Sequence, residues 1–185
     1  MSAAPAPRAA TIRVWDPLVR GLHWMLAAAV VGAYALGDDG GVWHERVGYV
    51  ALAAVGVRIA WGFVGSRRAR FVDFVRGPAA IKAYGREVVA GREPRYLGHN
   101  PLGGAWILVL LALVIATGAT GWLLSGYGKD EFEALEDAHE VLANGLLLAA
   151  AVHVTGVFWE SIRHGENLAR AMFTGRKRAP SPDDR

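Results

Sequence analysis

Four long apolar segments punctuate the chain, each close to the ~20 residues a helix needs to cross the hydrocarbon core of a bilayer. They run from Leu18 to Gly37, Val42 to Gly65, Leu102 to Ser125, and about Ala134 to Ile162. The third is the most apolar. The fourth, at ~1.5 Å per residue, is longer than a bilayer is thick and is expected to tilt or project. Between the second and third segments, Phe71, Phe74 and Val75 precede Gly77-Pro78. Ile81, Tyr84 and Val88 then recur at helical spacing with Lys82, Arg86 and Arg92 between them. That alternation predicts a short basic helix on the membrane surface rather than the plainer alternative, a solvated loop. The pattern as a whole predicts an all-α integral membrane four-helix bundle with a short interfacial cytoplasmic helix. Residues 13–178 form its transmembrane domain, and residues 1–12 and 179–185 are expected to be disordered ends. No internal repeat stands out.

Charge sets the direction of the spans. The 185 residues are 53% hydrophobic and 20% charged, and the charges gather between the apolar runs instead of spreading over a soluble surface. Arg8, Arg13 and Arg20 precede the first span. Arg67, Arg68, Arg70, Arg76, Lys82, Arg86, Arg92 and Arg95 fill the loop between spans two and three, and Arg163, Arg170, Arg176, Lys177, Arg178 and Arg185 accompany or follow span four. The other two loops are acidic: Asp38, Asp39 and Glu45 in one, and Asp130, Glu131, Glu133, Glu136 and Asp137 against a single Lys129 in the other. Basic loops stay on the cytoplasmic side, so both termini are expected there, in a bacterial inner membrane. The first span follows basic residues and contains Ala33-Tyr34-Ala35, features shared with a cleaved leader; its long preceding segment and its histidine favour a retained span. A formal charge of +3 is too small to point to nucleic acid, and topology accounts for its distribution.

The chain has no cysteine, which excludes disulfides, iron–sulfur clusters, thiolate zinc sites and covalently attached haem. Six histidines remain, four of them at the ends of or within the apolar runs. Ionisable residues in a bilayer are costly and usually functional. His139 and His153 lie 14 residues apart on span four. At ~100° per residue they share nearly one face, and at ~1.5 Å per residue they stand about 21 Å apart in depth. With alternating spans, His23 matches the depth of His153 and His44 that of His139. Two imidazole pairs stacked along the membrane normal suit two six-coordinate haem irons, whereas zinc usually takes four ligands and copper at least three. Ala27, Gly48, Ala143 and Gly156, one turn after each histidine, would make room for a flat macrocycle. The plainer alternative for any single histidine is an interhelical hydrogen bond. Arg58, 14 residues after His44, is a candidate partner for a haem propionate, or else it snorkels to the headgroups. Trp15, Trp24, Trp43, Trp61, Trp122 and Trp159 are expected to be interfacial anchors.

The ordered motifs resemble the prokaryotic cytochrome b561 family, which is related to the b-type subunits of nickel–iron hydrogenases and of formate dehydrogenases. They are Arg13-Val-Trp-Asp-Pro-Leu-Val-Arg-Gly-Leu-His23-Trp24, His44-Glu-Arg-Val-Gly48-Tyr49, Arg58-Ile-Ala-Trp-Gly-Phe, Gly98-His-Asn-Pro-Leu-Gly-Gly104, Thr120-Gly-Trp122, His139-Glu-Val-Leu-Ala-Asn144, His153-Val-Thr-Gly156 and Glu160-Ser-Ile-Arg-His-Gly-Glu-Asn-Leu168. The resemblance implies two non-covalent b haems on His23, His44, His139 and His153, and electron exchange with a membrane quinone. The chain is shorter than the hydrogenase subunits and shows four spans, not five. It has Trp106 and Ile107 where some stand-alone members carry a histidine near the start of span three.

The functional expectation is electron transfer between the quinone pool and a periplasmic partner, either a c-type cytochrome or an oxidoreductase. The acidic residues from Asp130 to Asp137 could dock a basic cytochrome, against a plain solvated loop. Glu160 and His164, on the face of His153 and below it, are candidates for a quinone or proton site, with Arg20 and His99 near the same surface. One rival is a membrane anchor that wires a periplasmic oxidoreductase such as a hydrogenase to quinone. Another is a haem-free, histidine-lined metal transporter. The sequence is compatible with an oligomer.

Overall fold

The computed structural model describes residues 10–37, 40–126, 133–182 and 184–185. Four helices are long and apolar enough to cross a membrane. Helix α1 (Pro17–Leu36) begins at Asp16, whose Oδ1 accepts from Val19 N at 2.9 Å, with Pro17 at a first-turn position where no N–H is needed. It stops at Gly37 (φ 51°), and α2 (Val42–Val64) starts after Gly41 (φ 47°). Both are left-handed conformations that suit glycine and let the chain reverse. Near the other end of α2, α3 (Phe71–Phe74) and the amphipathic α4 (Pro78–Val89) lead to α5 (Pro101–Gly126). Asn100 caps α5 through Gly103 N at 2.7 Å. Helix α6 (Glu133–Arg163) has 31 residues, about 46 Å at ~1.5 Å each, so it projects beyond a hydrocarbon core of about 30 Å. Large apolar side chains such as Val31, Phe63, Leu148 and Phe158 face outward, as lipid requires of a multi-pass membrane protein.

Along the bundle α1 packs on α2, α2 on α5 and α5 on α6, while α6 meets α1 sparsely. The shared core is Ala29, Ala51, Val55, Leu111, Val114 and Leu146. Small residues allow the close approach: a Cβ on Gly118 would overlap Leu52, and one on Gly62 would overlap the Phe71 ring. The seam between α6 and the α1–α2 pair is left open.

The end at which α1 begins and α6 finishes, called the inner end here, is tied down by polar groups. Asp16 also accepts from Trp61 Nε1 at 3.2 Å and from Ser66 Oγ, joining the start of α1 to the end of α2. Burial raises the Asp16 pKa, but the bonds from Ser66, Val19 and Trp61 outweigh it and leave the carboxyl below its ordinary value.

After α7 (Leu168–Thr174), strand β2 (Arg176–Arg178) pairs antiparallel with β1 (Thr11–Arg13), with Ile12 opposite Lys177. Residues 179–185, expected to be disordered, are instead held in place where they are described. Ala179 N bonds Ala10 O at 2.8 Å, Arg185 N bonds Arg95 O at 2.8 Å, and Leu97 N bonds Arg185 O at 3.1 Å. The reason is Arg95, whose buried guanidinium pairs with Glu166 at 2.9 Å and with Asp184 and also bonds Arg178 O at 2.9 Å. Thr11 and Ile12 likewise belong to a strand. The expectation of disorder for residues 1–9 lies outside the described residues.

Candidate functional site

Each half of the open seam is bridged by two histidines. The rings of His44 on α2 and His139 on α6 have centroids 6.0 Å apart, with an interplanar angle of 70°. Those of His23 on α1 and His153 on α6 are 6.4 Å apart at 53°. These spacings are informative. A direct N–H···N bond of about 2.9 Å would put ring centres at roughly 5.2 Å. Two imidazole nitrogens at about 2.0–2.1 Å from one first-row metal, in line, would put the centres at roughly 6.3 Å. Both separations lie closer to the second spacing than to the first.

The outer pair is set up by its hydrogen bonds. His44 Nδ1 lies 3.0 Å from Ala33 O. A carbonyl only accepts, so the ring hydrogen sits on Nδ1 and the basic nitrogen is Nε2. His139 Nδ1 lies 2.9 Å from Thr120 Oγ1. Gly121 lets that ring approach α5, because a Cβ there would come within 3.0 Å of His139 Cε1. Around this pair lies a cleft with about 750 Å³ of space, part of it open to the surroundings, lined among others by Gly48, Thr117 and Ala143. A Cβ on Gly48, or on Gly156 near the inner pair, would meet nothing within 4 Å. Thr117 Oγ1 is buried without a hydrogen-bond partner among the described residues. Paired basic nitrogens, open space beside glycines and an orphaned hydroxyl fit a flat group ligated from both faces.

At the inner pair, His23 Nδ1 is buried and has no hydrogen-bond partner among the described residues. Arg58 is 7% exposed, so it does not reach out to headgroups. Its guanidinium lies 5.4 Å from the Phe71 ring and 6.0 Å from Phe74, and its Nη1 is buried without a partner among the described residues. A buried cation with an orphaned donor fits an anion such as a carboxylate.

The other candidates divide. Glu160 and His164 come together, with Oε2 and Nε2 3.2 Å apart, but the alignment is poor for a hydrogen bond. Glu160 Oε1 also accepts from Tyr84 Oη at 2.9 Å and Asn100 Nδ2 at 2.8 Å. Tyr84 and Asn100 are residues that the sequence reading did not place at this site, since Tyr84 read as one more apolar position of α4. Arg20 lies elsewhere: its Nη1 bonds Phe173 O at 3.0 Å, against α7. His99 packs between the rings of Trp15 (4.7 Å) and Phe74 (4.8 Å). Burial first, and then the charge of Arg58, pull its pKa down to about 3, so its ring is neutral. Trp15, expected at the lipid interface, is buried beside Val14 and Ala171 instead. Asp130 and Glu131 of the acidic loop, with Asp38 and Asp39, lie outside the described residues. Among the described residues no three His, Asp or Glu side chains converge as a metal cluster would require.

Comparison with known proteins shows the family. A probable Ni/Fe-hydrogenase B-type cytochrome subunit of Rhodobacter capsulatus is 25% identical over an alignment covering 92% of this chain and 82% of the relative. No solved structure matches significantly. The family model for prokaryotic cytochrome b561 matches residues 14–175, nearly the whole bundle, and the chain therefore belongs to that family of membrane b-type cytochromes, which transfer electrons.

Proposed function

We propose that this cytochrome holds two haem b groups, one between His44 and His139 and one between His23 and His153. It would thereby carry electrons between the quinone pool and a periplasmic redox partner. The observation that supports this most is the pair of imidazole–imidazole spacings, 6.0 and 6.4 Å, across a seam that the helices themselves leave open. Haem, when bound, supplies one-electron exchange at its iron. The rest falls to the chain. His44 and His139 offer Nε2 because their Nδ1 atoms are held by Ala33 O and Thr120. Arg58 offers Nη1, which has no partner among the described residues, to a propionate at the inner site. Glu160, steadied by Tyr84 and Asn100, and His164 beside it form the quinone and proton site at the inner end. Arg20 of α1, bonded to Phe173 O, and His99, a neutral group between Trp15 and Phe74, brace the same end. The bundle sits in the bacterial inner membrane with its inner end cytoplasmic, as its basic loops favour.

A second reading is favoured by the Rhodobacter capsulatus relative, whose name is that of a hydrogenase subunit. In that reading the same haem path wires a periplasmic oxidoreductase to quinone and anchors it to the membrane. The two readings share the haem sites and differ in the partner. Reduced-minus-oxidised spectra with pyridine extraction on purified protein test what they share. The expected result is a b-type spectrum and two haems per chain. One haem, or none, contradicts the proposal.

A further inference from the structure

We infer that Thr120 is a positioning residue that tunes the outer site through His139, an inference resting on the reading of His139 as a haem ligand. Thr120 lies on α5, next to the glycine that admits the His139 ring. Its Oγ1 is 2.9 Å from His139 Nδ1, and it also reaches Thr117 O at 2.8 Å and Ala116 O at 3.1 Å. The hydroxyl has one hydrogen, and the two carbonyls can only accept. That hydrogen goes back into the α5 backbone, and the oxygen lone pair receives Nδ1–H from His139. The network thus assigns the tautomer in which Nε2 is the basic nitrogen.

An acceptor on the far nitrogen makes an imidazole a stronger electron donor at the near one, which favours the oxidised state of the iron it binds and lowers the potential. The opposite ligand takes its acceptor from the backbone, at Ala33 O, beyond the reach of side-chain replacement. The inner site is built differently, since His23 Nδ1 has no partner among the described residues. Thr120 is therefore the side chain through which the outer potential can be changed while the inner one stays fixed. Thr120→Val keeps the shape and removes the acceptor; Thr120→Ser keeps the acceptor.

The test is a potentiometric titration of the visible spectrum on purified wild type, Thr120→Val, Thr120→Ser and His139→Ala, each with haem content measured first. The expected result is full haem in Thr120→Val, with one midpoint shifted upward and the other unmoved. The shifted midpoint is the one missing from His139→Ala, and Thr120→Ser titrates as wild type. If Thr120→Val fails to hold haem, Thr120→Ala makes the same comparison with less bulk beside Gly121. Unmoved midpoints in a fully loaded Thr120→Val or Thr120→Ala variant overturn the role of Thr120 while leaving His139 a ligand. Full haem content in His139→Ala overturns the ligand reading itself.

Discussion

Tyr84 donates its hydroxyl hydrogen to Glu160 Oε1 at 2.9 Å, and so a helix outside the four spans is fastened to the inner end of the longest one. The side chain is almost fully buried, and burial followed by the neighbouring Glu160 charge pushes its pKa up, so it stays a donor. A hydrogen bond to a charged group contributes about 1.5–3 kcal/mol. Tyr84→Phe is expected to lower stability by about that amount while leaving haem content unchanged. Thermal melting in detergent, followed by loss of haem absorbance, measures it; an unchanged melting point would mean the bond carries no weight.

Glu160 and His164 are expected to matter for rate and not for haem binding, because neither belongs to an imidazole pair. General acid–base groups typically contribute 10²–10⁴-fold. Glu160→Gln, which keeps the shape and loses the charge, should slow quinol-linked reduction by about 10²-fold, and His164→Ala should slow it as well. Stopped-flow reduction by a quinol analogue at matched haem content is the measurement. Wild-type rates in both variants would move the quinone site toward His44 and His139.

Acid should loosen the inner end. Burial raises the pKa of Glu166 and of Asp184, but hydrogen bonds from the backbone, together with Arg95 and, for Glu166, Lys177, bring both below their ordinary values of 4.5 and 3.8. A depressed folded-state pKa means stability that is present above the unfolded value and lost as pH falls through the folded one. The melting point should therefore hold from neutral pH down to about 5 and fall below about 4. Arg95→Leu removes the cation that Glu166 and Asp184 share, leaving Glu166 with Lys177 and both carboxylates with backbone donors, and should cost about 3 kcal/mol at neutral pH while reducing the acid-dependent part. A melting curve with the same acid response in wild type and variant contradicts this account of the clasp.

The spans were legible because a run of ~20 apolar residues has few other uses, and the observed helices begin and end within about a residue of the expected ones. Which histidines come together was legible too: 14-residue spacing puts His139 and His153 on one face of a regular helix, and alternating spans bring His44 to the one and His23 to the other. The hydrogen bonds that orient the rings were not. Ala33 O is a backbone atom, and the Thr120-Gly-Trp122 motif does not by itself show that Thr120 reaches a histidine on another span. The C-terminal residues were misread for a related reason: their charges look solvated in sequence, and only the β1–β2 pairing brings Glu166, Lys177 and Asp184 around a buried Arg95. Trp15 fits the pattern of an interfacial anchor but sits under α7, against His99.

The asymmetry of basic residues predicts that the loop from Ser66 to Gly98 is cytoplasmic. The chain has no cysteine, and Ala90, just past α4, is exposed. Ala90→Cys should react with a membrane-impermeant thiol reagent only after the cytoplasmic side is opened. Labelling in intact cells, from the periplasm, would reverse the topology.

Haem content in the four single histidine-to-alanine variants tests the central claim most directly. His44→Ala and His139→Ala should each lose the same haem and keep the other. His23→Ala and His153→Ala should lose the one that those two retain, as spectra and redox titration of purified protein can tell apart. If His44→Ala and His153→Ala lost the same haem, or if any of the four variants kept both, the paired-imidazole account of this cytochrome would be contradicted.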